Sequence, residues 1–217
     1  MKEYKLPIGC DVPETIILAD GDFPSHPLAL EWLRQCPYVV CCDGAANTYI
    51  RSGRMPEAIV GDGDSLLPDI KERYASLIHS EAEQETNDLS KAFRFCLSQE
   101  RKRITIMGAT GKREDHTIGN VSLLADYMEQ AEVSMMTDYG IFVPIREDSM
   151  FESYIGQQIS VFNMNSTALS AEGLAYPLSV FTNWWQGTLN EALARHFIIR
   201  TEGKVLVLGY SVNVSKK

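Results

Sequence analysis

The sequence predicts an α/β N-terminal domain with a mostly parallel, Rossmann-like sheet, followed by an all-β sandwich. Strand-length apolar runs alternate with amphipathic stretches as far as about residue 140. Beyond that point only short β-rich runs remain, divided by Gly, Asn and Ser. The charge changes in the same place. Residues 1–145 carry 23 acidic and 14 basic side chains, whereas residues 146–217 carry 6 of each. Such an asymmetry separates regions of different character. The expected division is therefore 1–142 and 143–217.

Residues 15–19 and 38–42 are apolar runs of strand length, each followed at once by an aspartate. Between them, residues 27–35 carry Leu28, Leu30, Trp32 and Leu33 at loose helical spacing. Residues 45–52 form a second short helix, with Gly53 placed to end it. Residues 58–60 are a third strand, stopped by Gly61-Asp62-Gly63-Asp64-Ser65. Residues 88–99 repeat Leu89, Ala92-Phe93 and Cys96-Leu97 at intervals of three and four, as an amphipathic helix does. A strand at 103–107, a helix at 116–128 and a strand at 133–137 complete the first region. The strand-like runs of the second are 141–145, 158–162, 197–201 and 205–208.

With 217 residues, 45% apolar and 23% charged, the chain has the composition of a globular protein and excludes disorder or a collagen-like repeat. No apolar run approaches the roughly 18 residues of a membrane helix. The N-terminus mixes charges and lacks the apolar stretch of a signal peptide, so a soluble, cytoplasmic protein without a membrane partner is expected. The net charge of −9 and the lack of a basic stripe argue against nucleic acid. A cationic small molecule or a divalent metal suits this charge better. Cys10, Cys36, Cys41, Cys42 and Cys96 match neither zinc nor disulfide spacing and read as structural thiols.

Asp43, Asp62, Asp64, Asp88 and Asp115 all fall after a strand or at a helix start. In open α/β sheets, ligands bind outside the carboxyl ends of the strands. Carboxylates gathered there repel one another unless a cation joins them, and hard oxygen ligands suit Mg²⁺ together with substrate phosphates. Each also has an ordinary reading. Asp88 and Asp115 would serve equally as N-caps, and residues 61–65 as a plain turn. Gly108-Ala109-Thr110-Gly111-Lys112-Arg113 follows a strand but fits neither a Walker A loop nor a dinucleotide fingerprint. It remains a glycine-rich turn with two cations near a helix start, which can hold phosphate oxygens. His116 is either an acid–base group or a packed residue. Tyr176, Trp184 and Trp185 are either core aromatics or a stacking platform for a flat cation.

The order of these motifs resembles thiamine pyrophosphokinase. It runs through Asp43-Gly44-Ala45-Ala46-Asn47, Gly61-Asp62-Gly63-Asp64-Ser65, Gln84-Glu85-Thr86-Asn87-Asp88 with Lys91-Ala92, and residues 108–120 with Arg113, Asp115-His116 and Asn120. Gly173-Leu174-Ala175-Tyr176-Pro177-Leu178 and Gly187-Thr188-Leu189-Asn190-Glu191 resemble the thiamine-side segments. The resemblance implies pyrophosphoryl transfer from ATP to thiamine with release of AMP, and a homodimer with its cleft at the subunit interface. It implies Asp62, Asp64 and Asp88 as Mg²⁺ and phosphate residues, with Asp43 as a further site carboxylate. Gln84, Lys112, Arg113, Asp115, His116 and Asn120 fall in the ATP region, and Tyr176, Thr188 and Asn190 in the thiamine region. One carboxylate off the metal, Asp43 or Asp115, would take the hydroxyl proton.

Gly63, Asn87, Lys112 and Leu189 depart from the usual family residues. Two alternatives follow: an inactive nucleotide-binding module of the same fold, or a pyrophosphokinase for another hydroxymethyl heterocycle. Convergence of Asp62, Asp64 and Asp88 on one ion would favour turnover over the inactive module.

Overall fold

A computed structural model describes residues 1–7, 11–81, 83 and 85–210. It divides the chain into two compact units, one of Gly9–Asp138 and one of Met1–Ile8 with Tyr139–Lys217. The break thus falls at 138/139 rather than 142/143, and the first residues belong with the last. The cause is β1 (Lys2–Tyr4), which pairs in parallel with β9 (Ser149–Glu152) of the second unit. Three residues reading Lys-Glu-Tyr carry no signal of that distant partner.

The Gly9–Asp138 unit is built on six parallel strands: β2 (Thr15–Leu18), β3 (Val39–Cys42), β4 (Ala58–Gly61), β5 (Ile78–Ser80), β6 (Arg103–Met107) and β7 (Glu132–Met136). Their order is β7-β6-β2-β3-β4-β5. β2, β3 and β4 are buried along their whole length, which is why they read as unbroken apolar runs. The helices are α1 (Pro27–Gln35), α2 (Ala45–Arg51), α3 (Pro68–Arg73), α4 (Asp88–Ser98) and α5 (Glu114–Tyr127). The short elements α3 and β5 escape the sequence reading because neither is long enough to show a period.

Helix α4 matters most for the site. Leu89, Ala92, Phe93 and Cys96 form its buried face, and the Phe93 ring stacks on Tyr127 of α5 at 3.9 Å between centroids. Its N-cap is Asn87, whose Oδ1 accepts from Ser90 N at 2.9 Å. The expected cap, Asp88, lies one residue further in. Asp115 likewise sits in the first turn of α5, behind Arg113 at the cap position.

The second unit is a β-sandwich. One sheet is β1-β9-β13-β11, with β11 (Leu169–Glu172) and β13 (His196–Thr201). Facing it are β8 (Gly140–Ile145), β10 (Gln158–Asn163), β12 (Asn190–Glu191) and β14 (Val205–Tyr210), antiparallel in the order β12-β10-β14-β8. Phe151, Leu169, Phe197 and Ile199 meet Ile145, Ile159, Val161, Val205 and Val207 in a common core. Cys36, Cys41, Cys42 and Cys96 are free thiols. Among the described residues no helix is long and apolar enough to cross a membrane.

Phe93 is 1% exposed, so Phe93→Ala removes a full core side chain and the Tyr127 stack. Urea unfolding of this variant is expected to show a loss of about 3–5 kcal/mol.

Candidate active site

The ends of adjacent parallel strands stand close together, and here several end in acid. Asp20 comes just beyond β2, while Asp43 and Asp62 directly follow β3 and β4. Asp88 opens α4, which packs against β3 and β4. A Cβ at Gly61 would stand 2.8 Å from Asp43 Cβ and 3.4 Å from the carboxyl carbons of both Asp43 and Asp88. Only glycine lets these two acids flank the end of β4.

Asp43 is 3% exposed. Its Oδ2 accepts from Ser65 N at 3.0 Å, while its buried Oδ1 has no hydrogen-bond donor among the described residues. Burial, reinforced by the charges of Asp88 and Asp62, pushes this carboxyl above its ordinary pKa despite the Ser65 bond. Asp62 moves the other way, because Asp64 N donates to its Oδ1 at 3.1 Å and the Lys91 charge lies near. The two acids are therefore unequal: Asp62 holds its charge, and Asp43 holds a proton more readily. The main chain of Asp64 orders Asp62, and its own side chain is exposed.

Lys91, one turn into α4, is 3% exposed and donates to Asp88 Oδ1 at 3.0 Å. Burial opposes its charge, but Asp88 and Asp62 outweigh burial and hold the ammonium above its usual pKa. A buried lysine is rare without such partners. Its role was not legible from sequence, although its position three residues after Asp88 puts both on one helix face.

Asn120 is buried and acts as a link. Its Nδ2 donates to Ala109 O at 2.9 Å, and its Oδ1 accepts from Asn87 Nδ2 at 3.0 Å. It thereby ties the 108–113 loop to the cap of the helix that carries Asp88. Arg113 and Asp115 form an exposed pair through two hydrogen bonds, at 3.1 and 2.5 Å. The guanidinium pulls the Asp115 carboxyl down to about 2. His116 is exposed in the first turn of α5, and Gln84 lies outside the described residues.

In the sandwich unit, Asn190 is buried and brackets the backbone of residue 176. Its Oδ1 accepts from Tyr176 N at 3.0 Å, and its Nδ2 donates to Tyr176 O at 2.8 Å. Tyr176 is nonetheless 64% exposed. Thr188 Oγ1 donates to Trp185 O at 2.7 Å, and Leu189 is held at φ 63° with its side chain in solvent. Trp184 and Trp185 are exposed and so are not core residues; Trp184 lies edge-on to Phe162 at 6.0 Å.

Among the described residues no three His, Cys, Asp or Glu side chains are arranged to hold one ion. The expected sharing of an ion by Asp62, Asp64 and Asp88 is thus not preformed, and this geometry does not by itself favour turnover over binding. The donor set nevertheless fits Mg²⁺. Asp62, Asp64 and Asp88 offer hard carboxylate oxygens, with the buried Asp43 carboxyl beside Asp88 across Gly61, and Mg²⁺ commonly takes one or two carboxylates with the remainder from phosphate and water.

Comparison with known proteins is consistent along the chain. The family model described as thiamin pyrophosphokinase, catalytic domain, matches residues 29–136, and that for the substrate-binding domain matches residues 140–208. The chain belongs to the thiamin pyrophosphokinase family. Thiamine pyrophosphokinase 1 of Oryza sativa is 30% identical over 129 residues, covering 48% of this chain and 49% of that one. The Bacillus subtilis enzyme is 34% identical over 86 residues, covering 38% and 40%. The chain therefore matches about half the length, or less, of these curated relatives. The fold likeness extends further. The yeast thiamin pyrophosphokinase structure superposes with a TM-score of 0.79 at 16% identity, covering 96% of this chain and 90% of that one. The Candida albicans structure gives 0.78 at 18%, covering 96% and 92%. Asp43, Asp62, Asp64, Asp88 and Lys91 all lie inside the family's catalytic match, whereas Asp20 lies outside it.

The raised Asp43 carboxyl has a sign that can be tested. A carboxyl whose folded pKa exceeds its unfolded value binds more protons when folded, so stability falls as pH rises through that interval. Asp43→Asn removes the penalty while keeping an acceptor for Ser65 N. Thermal melts are expected to show the variant more stable than wild type at neutral pH. The gap should close as pH falls past the ordinary carboxylate range.

Proposed function

We propose that this chain transfers a pyrophosphoryl group from ATP to the hydroxyethyl oxygen of thiamine, giving thiamine diphosphate and AMP. The observation that carries the reading is the buried, donor-free oxygen of Asp43 beside Asp62 and Asp88, within the region that matches the family's catalytic domain. In this reaction the thiamine oxygen bonds to the β-phosphorus, the bond from that phosphorus to the α–β bridging oxygen breaks, and the hydroxyl proton must leave. Catalysis of this kind is mostly positioning and electrostatic stabilisation.

Asp62, Asp64 and Asp88 would hold the divalent cation, which when bound would offset the negative charge of the polyphosphate. Lys112, Arg113 and the exposed His116 offer cationic or donor groups to the polyphosphate, and Gln84 belongs to the same region by resemblance. Asn120 supports the phosphate loop from behind. Of the two candidate bases, Asp43 is the better supported. Its pKa is raised and it has an unused oxygen, whereas the guanidinium clamp makes Asp115 a weak base.

The exposed Tyr176 ring, its backbone fixed by Asn190, suits the face of a cationic thiazolium. Thr188 belongs to the same region by resemblance. The apolar side chains of Trp185 and Leu189 in solvent support a homodimer that covers this segment. The acidic first region favours approach of a permanently charged acceptor.

AMP release from Mg-ATP, with and without thiamine, tests this function. Wild type is expected to release AMP only with thiamine, and Asp64→Ala to lose that release. Asp43→Asn should lower kcat by about 10²–10⁴-fold, and Asp115→Asn by much less. Binding of nucleotide without AMP would instead indicate the inactive module. Turnover with a pterin or pyrimidine alcohol alone would move the assignment to another acceptor.

A further inference from the structure

Asp20 and Lys112 meet where the sheet reverses its winding. From β2 the order runs one way through β3, β4 and β5, and the other way through β6 and β7. The crevice at such a switch point is the usual ligand position in open α/β sheets. Asp20 lies just beyond β2, and Lys112 rides on the loop after β6. The Lys112 ammonium donates to Asp20 Oδ1 at 3.0 Å.

The two loops are locked together. Gly21 N donates to Gly108 O at 2.6 Å, and Asp22 N donates to Thr110 O at 2.8 Å. A Cβ at Gly21 would collide with Thr110 O, and one at Gly111 with the Asp22 carboxylate, so no side chain fits between them. Lys112 itself sits at φ 57°, a conformation that L side chains rarely adopt. The backbone thus holds Lys112 in a disfavoured geometry that delivers its ammonium to Asp20. Both side chains are about half exposed, so the pair is easily exchanged. The other Asp20 oxygen, Oδ2, lies 2.5 Å from where a Gly44 Cβ would be. Ser65 Cβ is 3.1 Å from that same point, and it is Ser65 whose N–H holds Asp43.

We propose that Asp20 is a positioning residue that parks Lys112 away from the phosphate site, so that metal and nucleotide bind with positive coupling. This rests on the ATP reading above. Without a divalent ion, Asp20 retains Lys112 and so withholds its ammonium from the polyphosphate. A nucleotide carrying its metal would offer Asp20 a cation in exchange, which would free Lys112 for the phosphate oxygens. The neighbouring cations follow the same pattern, Lys91 resting on Asp88 and Arg113 on Asp115. Linkage makes the effect reciprocal: whatever metal does for nucleotide affinity, nucleotide does for metal affinity.

Calorimetric titration with the α,β-methylene analogue of ATP, in EDTA and in Mg²⁺, tests the proposal on purified protein. Wild type is expected to bind the analogue at least about tenfold more weakly in EDTA. Asp20→Asn should tighten binding in EDTA by about fivefold and so shrink the gain from Mg²⁺. The same substitution in a Lys112→Met background should change EDTA binding by less than about twofold. Equal tightening in both backgrounds would mean plain removal of a repulsive charge and would overturn the parking role, as would no tightening in either. If wild type fails to bind the analogue even with Mg²⁺, the ATP reading falls and takes this inference with it.

Discussion

Like charge held at the end of a parallel sheet is the constraint on which the rest of the site depends. Adjacent strands lie about 4.8 Å apart, so acids at their carboxyl ends cannot avoid one another. Gly61 brings Asp43 and Asp88 closer still. The protein answers with unequal protonation, Asp43 raised and Asp62 lowered, and with a buried ammonium at Lys91. Both are partial answers. The residual negative charge makes the edge receptive to a cation and sets it against a bare polyphosphate.

Precision in this edge comes from links between loops more than from the strands. Asn120 joins Ala109 to Asn87, and Asn87 caps the helix that carries Asp88. Gly21 and Asp22 grip the same loop from the other side through backbone bonds. The 108–113 loop is thus tied both to the α4 cap and to the loop after β2. Asn190 does comparable work in the sandwich, holding a tyrosine backbone so that its ring stays in solvent. Rigid supports under exposed groups are what orientation in catalysis requires.

Most of this architecture was legible in the sequence where a local rule governs it. Buried strands appear as apolar runs because both faces are covered, and α4 declares itself through Leu89, Ala92, Phe93 and Cys96. Asp43 and Asp62 stood out because each ends such a run. Asp20 obeys the same rule and was visible, but nothing local distinguished it from a turn aspartate. Illegible were the relations spanning distance: Asn120 with Asn87, Gly21 with Gly108, and β1 with β9. Short strands such as Ile78–Ser80 and Leu169–Glu172 lack the length to show a period. Whether Asp62, Asp64 and Asp88 share an ion was not legible either, because carboxylate placement depends on tertiary packing rather than spacing.

The pairing of Lys2 with Ser149 places the chain's opening strand in the unit that closes it. The α/β unit is therefore an insertion within the sandwich, and the sandwich cannot complete its edge until residues far apart in sequence have been synthesised. Loop closure over such a span is slow to be rewarded, since the long-range contacts come only after the intervening entropy is lost. On a ribosome, the α/β unit can collapse while β1 waits unpaired for β9. The topology thus sets one limit: β1 can pair only once β9 exists, whereas the unit that gathers the carboxylates needs neither strand.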